Sequence, residues 1–260
     1  MKKIGIIGFG RIGSYLYERI KQTSGLEIAF VYETIEEKTR GLDKSILIND
    51  FQNFRTKKAD LIVEAADFRA VETLAHQVLE ETDMLILSAV ALADESVETK
   101  LKEICEEKRH KFYIPHGALL GMDGFQDARD AFDEVSITTV KPPKSLDFDF
   151  QKKWRMEEIK TKTVLYEGPT REIRKLFPRN VNSHAVLAIS SLGFDKTHSI
   201  LTADPDTTTA SHHIVAKGGG ATTEIIQASP IKGVTGEFTL ASVYGTIKRI
   251  LNQNSGLRII

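Results

Sequence analysis

The sequence has 260 residues, with 35 Lys and Arg against 36 Asp and Glu, for a formal net charge of -1. That balance gives no long-range attraction to nucleic acid or to an anionic membrane, and 41 % hydrophobic with 27 % charged residues is ordinary for a globular protein. One cysteine excludes an internal disulfide and a cysteine-built zinc site; with no bilayer-length apolar run and no signal peptide, a cytoplasmic protein is expected.

Taken in chain order, Lys3-Ile4-Gly5-Ile6-Ile7 reads as a buried strand, and Gly8-Phe9-Gly10-Arg11-Ile12-Gly13 turns it into an amphipathic helix. Gly8 permits the tight turn, Gly10 lets backbone amides approach a pyrophosphate, and Gly13 lets helix and strand pack closely. The helix N-terminus favours the negative charge. A second apolar run, Glu27 to Tyr32, ends at Glu33, twenty residues beyond Gly13, where a carboxylate can accept from both ribose hydroxyls. Together these features predict a dinucleotide site. Glu33 would repel a 2′-phosphate, so NAD is favoured over NADP; Lys38 and Arg40 soften that preference if their loop folds back.

The short apolar stretch Ser45 to Ile48 has no evident role. Three more buried strands are predicted at 59–66, 83–88 and 111–115, with helices over 68–81 and 95–108 and a small-residue loop at 89–94. Cys105 falls in the second of these helices and reads as a half-buried helix residue rather than a nucleophile. Alternating strands and helices predict a Rossmann-type, doubly wound parallel sheet, which binds ligands beyond the carboxyl ends of its strands. That places Ala65, Ala66, Ser88 and Ala89 around the coenzyme with Gly8, Gly10, Arg11, Ile12, Gly13 and Glu33, and puts His116-Gly117-Ala118 at the same edge.

From about residue 133 the texture changes. Strands are predicted at 134–140, 163–167, 197–202, 213–217 and 222–226, with helices over 169–176 and 181–192 and a long surface loop over 142–154. This mixture predicts a second, α+β domain with an open mixed sheet. A last helix, 238–252, is expected to return to the first domain, so the division is 1–116 with 237–260 against 117–236.

A hydride-transfer site needs one group to manage a proton, and histidine suits that task. His116, His184, His198, His212 and His213 are candidates. His212 and His213 are adjacent in a predicted strand and point to opposite faces, which argues against a metal site; one of them faces inward, and periodicity does not choose. In Phe177-Pro178-Arg179-Asn180-Val181-Asn182, either Asn182 or Ser183 caps the helix that follows, or the Asn182 amide holds a ligand. Ala203-Asp204-Pro205 reads as a turn.

At this point the residues resemble the L-aspartate dehydrogenases of NAD biosynthesis, over nearly the whole chain. The resemblance runs from the Gly8–Gly13 turn through Val63-Glu64-Ala65-Ala66, Ser88 to Asp94, Pro115-His116-Gly117-Ala118, Lys141-Pro142-Pro143, Phe177 to Asn182, Leu192-Gly193-Phe194-Asp195, Ala203-Asp204-Pro205 and Ser211-His212-His213-Ile214. It implies NAD-dependent oxidation of L-aspartate to iminoaspartate, which hydrolyses to oxaloacetate and ammonia. It also implies NAD contacts from Ala118 and Asn182, a homodimer, and a catalytic histidine at the end of an Asn-x-His segment, which falls on His213.

Three departures bear on the substrate: Ser211 replaces that asparagine, His116 replaces a serine, and the segment near 234–238 lacks the family's lysine and serine and gains Glu237. A dicarboxylate needs cations, for which Lys141 is the first candidate, with Lys217 and Lys232 behind it. Lys141, His116 and Ser211 are therefore the expected substrate contacts. The alternatives are a dehydrogenase or imine reductase for another amino acid, or an NAD-binding sensor without turnover.

Overall fold

The computed structural model describes residues 1–230 and 236–251, which fall into two units, each built on its own five-stranded sheet. Lys232, Val234 and Thr235 lie outside the described residues.

The first unit holds residues 1–91 and 95–115 with the C-terminal helix from Leu240 onward. Its strands are β1 (Lys2–Ile7), β2 (Leu26–Tyr32), β3 (Leu61–Glu64), β4 (Met84–Ile86) and β5 (Phe112–Tyr113), in the order β2-β1-β3-β4-β5. Every pairing is parallel. Such a sheet is covered on both faces, which is why the central strands are apolar without alternation: Ile4, Ile6, Ile7, Leu61, Ile62, Val63, Met84, Leu85 and Ile86 are all buried.

The helices are α1 (Arg11–Lys21), the single turn α2 (Phe54–Lys57), α3 (Phe68–Leu79), which Asp67 caps by accepting from the Arg69 amide, and α4 (Glu95–Lys108). Leu16, Tyr17 and Ile20 give α1 an apolar stripe at helical spacing. The strand order reverses between β1 and β3, and a sheet of this kind binds ligands at that switch point. Ser45 to Ile48 acquires a role: Leu47 bridges in parallel to Val31, beyond β2. The small-residue segment is a buried 3₁₀ turn, Ala89–Ala93, rather than an open loop.

The second unit holds residues 92–94 and the described residues of 116–239. Its strands are β6 (Glu134–Lys141), β7 (Thr163–Pro169), β8 (His198–Ala203), β9 (Thr209–Gly218) and β10 (Ala221–Pro230), in the order β10-β9-β6-β8-β7. Only β6 and β8 run parallel, so this sheet is mixed. Its helices are α5 (Met122–Asp127), α6 (Thr170–Ile173) and α7 (Asn182–Ser190). Strand β9 starts four residues before the predicted point, because Ala210 to His212 continue its alternation. The final helix, α8 (Glu237–Ile250), sends Val243, Tyr244 and Ile247 into the first unit's core beside Ile4 and Leu16.

Through β6, and through β9 as far as Lys217, buried residues alternate with half-buried or exposed ones, so one sheet face is covered and the other open. The covered face takes Val135, Ile137, Thr139 and Lys141 from β6 and Ala210, His212, Ile214 and Ala216 from β9. Most of these are apolar. Three are not, and they mark the site.

Candidate active site

In the first unit the turn after β1 is shaped by what its glycines lack. Gly8 has φ +89°, and an added Cβ would lie 2.7 Å from the Ala66 backbone; one on Gly13 would lie 2.1 Å from the Gly8 carbonyl oxygen. A Cβ on Gly10 would meet nothing within 4 Å. The turn is thus closed tightly against β3 and α1 while its outer rim stays open, a cradle that fits a dinucleotide pyrophosphate at the N-terminus of α1. Glu33 is drawn into this turn. Its carboxylate accepts from the Phe9 amide at 2.8 Å, the Thr34 amide at 2.9 Å and the Ile35 amide at 3.0 Å, and Lys38 Nζ lies 3.3 Å away. Burial works against the charge, but these donors hold the carboxyl below its usual range. The loop after Glu33 therefore does fold back, and it brings Lys38 to the acid.

Beside this turn lies a second carboxylate. Glu64, fully buried at the end of β3, accepts from the Ala66 amide at 2.8 Å, the Ser88 amide and hydroxyl at 3.0 Å each, and the Leu87 amide at 3.1 Å. It joins the ends of β3 and β4 and so sets the course of the Ala65-Ala66 and Ser88-Ala89 segments. Burial outweighs the four donors and pushes its pKa up to about 7.

In the second unit, Thr139, Lys141 and His212 from the covered sheet face meet His184 from α7. Thr139 Oγ1 lies 2.8 Å from His212 Nδ1 and 2.7 Å from His184 Nε2. His184 Nδ1 lies 2.9 Å from Ser199 Oγ on β8. Lys141 donates to the Asn180 carbonyl at 3.2 Å and has no carboxylate partner among the described residues. Burial pulls its pKa down to about 8, and burial together with that ammonium pulls His212 down to about 3 and keeps His184 well below its ordinary value. Both rings are therefore neutral at working pH. Gln227, opposite His212 across the β9–β10 ladder, has a buried Oε1 with no hydrogen bond among the described residues.

The expected site residues do not all fall together. Lys141 is in the cluster. His213 and Ser211 are on the other face of the same strand, because successive side chains in a strand alternate. His213 is half-exposed, its Nε2 lies 3.3 Å from the exposed Glu224, and it pairs in register with Ile226, which is 72 % exposed. His116 is half-buried on the segment after Pro115, and Ala118 is two residues beyond it. Neither Asn182 nor Ser183 caps α7, whose N-cap position is Val181 without a side-chain bond. Asn180 has a structural task here: it donates to the Ser145 carbonyl and accepts from the Asp147 amide, pinning the 142–154 loop. Asp204 accepts from the Asp206 amide, as a turn residue does. Thr139, Ser199, Gln227 and Glu64 were not singled out for any task by their local sequence.

Comparisons with known proteins agree with these two halves. A family model described as "Aspartate dehydrogenase, C-terminal" matches residues 123–250, and one described as "Homoserine dehydrogenase, NAD binding domain" matches 8–115. The L-aspartate dehydrogenase of Nitrosopumilus maritimus is 30 % identical over 262 residues, covering 96 % of each chain. That of Methanosarcina acetivorans is 33 % identical over 265 residues, covering 97 % of this chain and 98 % of its own. The crystal structure of aspartate dehydrogenase from Thermotoga maritima matches with a TM-score of 0.79 at 26 % identity over the full length of both chains.

Proposed function

The chain belongs to the L-aspartate dehydrogenase family, and on that footing we propose that it oxidises L-aspartate at Cα with NAD as coenzyme, giving iminoaspartate and then oxaloacetate and ammonia. In this reading Gly8, Gly10, Arg11, Ile12 and Gly13 bind the pyrophosphate, Glu33 the ribose, and Ala65, Ala66, Ser88 and Ala89 line the coenzyme's path. Ala118 and Asn182 are further coenzyme contacts. With Lys38 beside Glu33, NADP is admitted as a weaker second coenzyme.

The observation that carries the substrate assignment is Lys141, a buried ammonium with no acid beside it among the described residues. A buried charge needs a counter-ion, and a carboxylate of the substrate supplies it. When bound, NAD accepts the hydride from Cα. The proton is handled by His212, and we place the general base there rather than at His213. His212 shares the covered face with Lys141, whereas His213 and Ser211 face away. His212 Nε2 takes a proton from the substrate ammonium, releases it to solvent after the hydride has left, and then takes a second from the water that attacks the imine. As long as Lys141 stands uncompensated, it weakens that base. Burial is the larger cause of the weakness and remains; a carboxylate settling against Lys141 removes only the smaller, coulombic share when a dicarboxylate arrives. Gln227 Oε1 is an acceptor on the same face, suited to an ammonium donor.

The reading is tested with an amino-acid panel, following NADH absorbance near neutral pH, where Lys141 keeps its charge. Turnover with L-aspartate well above that with every other amino acid is expected. Silence with aspartate but turnover of another amino acid moves the substrate, and silence throughout with intact NAD binding leaves a sensor. A cytoplasmic homodimer completes the proposal. The open face of the second sheet supports it by exposing Ile226 and Val164, and light scattering at the mass of two chains is the expected result.

A further inference from the structure

We infer that Glu64 is the charge by which the coenzyme site tells the oxidised from the reduced coenzyme: its buried carboxylate favours NAD over NADH. This assignment rests on the reading of the Gly8–Gly13 turn as the coenzyme site and on no residue of the second unit.

The two coenzyme forms share their pyrophosphate, both riboses and the adenine. They differ by one hydride, whose arrival turns a cationic nicotinamide into a neutral ring. Contacts to the shared parts hold both forms alike, whereas a fixed charge acts on the difference between them.

The acids at this edge of the sheet are not equivalent. Glu33, after β2, has Lys38 beside it, and Asp67, which caps α3, is paired with Arg69. Glu64 has no cation among its hydrogen-bond or ion-pair partners in the described residues. In the sheet it pairs in register with Ile7 on β1 and Ile86 on β4, both buried and apolar, so neither neighbouring strand sets a charge opposite it.

The donors around Glu64 suit the ionised form. Oε1 accepts from the Ala66 amide and the Ser88 hydroxyl, and Oε2 accepts from the Leu87 and Ser88 amides. Backbone N–H groups can only donate, so the Ser88 hydroxyl alone could take a hydrogen from the protonated acid. An anion held by amides rather than by a cation keeps its field, and at a buried position salt screens that field little.

The same bonds fix where the charge stands. The Ala66 amide belongs to the backbone against which Gly8 closes, and Leu87 and Ser88 follow β4 directly. In the order β2-β1-β3-β4-β5, Glu33 and Glu64 flank the turn after β1 on opposite sides. With one ribose at Glu33, the nicotinamide end of the dinucleotide extends toward β3 and β4, on the side of Glu64. The carboxylate helps to seat the cationic ring, and that help is gone once the ring is neutral, so the reduced coenzyme leaves more readily.

The experiment compares dissociation constants for NAD and for NADH, measured separately by calorimetry on full-length protein without substrate. It is run at about pH 8.5, above the value near 7 at which Glu64 titrates. Glu64→Gln keeps the shape of the side chain and removes its charge; affinity for NAD should fall about tenfold more than affinity for NADH. Turning a side-chain NH2 toward the backbone donors damages the site for both forms and leaves their ratio alone. Glu64→Asp retains the charge, so the ratio should stay within about twofold of the unmodified protein even where both affinities drop. Ser88→Ala loosens the same cage with the charge intact and should also keep the ratio, which carries the test should Glu64→Gln not fold. Equal losses for NAD and NADH in Glu64→Gln would make Glu64 a structural clamp and overturn the inference, as would collapse of the ratio in Ser88→Ala. Binding of neither form to the unmodified protein would instead bring down the coenzyme site itself, and this assignment with it.

Discussion

The two units bury polar groups in opposite ways. In the first, the polar centre is made of backbone: amides of the Gly8–Gly13 turn, of Ala66 and of Ser88, gathered by two carboxylates, Glu33 and Glu64. In the second it is made of side chains: one ammonium, two neutral rings and three hydroxyls, drawn from a covered sheet face and from the helices α6 and α7. A backbone centre is built for an anion of fixed shape, because amides cannot be repositioned without moving the fold. A side-chain centre is built to move protons and exchange counter-ions. The first suits a coenzyme and the second a reacting substrate, and each variant below tests one side of that division.

The largest effect belongs to Lys141. Lys141→Met should cut kcat/KM for aspartate by about a hundredfold or more, since truncating a buried charge partner costs about 2–5 kcal/mol, with NAD affinity unchanged. The same change should raise the unfolding midpoint, because it removes an unpaired buried charge. If aspartate turnover survives, the counter-ion argument is broken. Next is Gly13→Ala, whose Cβ would collide with the Gly8 carbonyl; a loss of about 1–3 kcal/mol in urea unfolding is expected, with weakened NAD binding. Glu33→Ala follows, with NAD affinity down about tenfold from the loss of charge-assisted hydrogen bonds and the preference over NADP narrowed, as read by coenzyme titration.

How much of this was legible in the sequence follows the same division. Gly8, Gly10, Gly13 and Glu33 lie within one strand-turn-helix-strand unit, so their spacing alone describes the turn. The parallel and mixed characters of the two sheets were legible for a similar reason, since strand alternation with helices is a local pattern. The second centre is not local. Thr139, His184, Ser199 and His212 meet only because β6 lies between β8 and β9 and α7 packs over them. Alternation tells that His212 and His213 point oppositely, but the choice of covered face depends on where the helices sit. Glu64 lay in plain sight after Val63, and only the depth of its burial distinguishes it from a strand-end surface acid. Cys105 is half-buried with its thiol pKa raised by burial, so nothing activates it.

Smaller effects come from pH. Lys141 titrates at about 8, so it is charged below that value and neutral above it. Inhibition by succinate, a dicarboxylate without an amine, should weaken as pH rises through about 8; a flat inhibition constant from pH 7 to 9.5 would separate Lys141 from the carboxylate. The stability response should differ in sign between the units. His212 stays neutral down to about pH 3 when folded but binds a proton near 6.5 when unfolded, so its contribution is lost as pH falls below 6.5. Glu64 holds its proton up to about pH 7 when folded but releases it near 4.5 when unfolded, so its contribution is lost as pH rises across that interval. Urea unfolding of His212→Gln and Glu64→Gln from pH 4 to 8 should flatten the two slopes separately.

The central claim is that the proton-handling imidazole is the one on the covered face, and a matched pair of single substitutions tests it most directly. His212→Ala should abolish NADH formation from aspartate with NAD affinity intact, while His213→Ala should keep most of the turnover. Loss of turnover in His213→Ala, with His212→Ala still active, would contradict the account.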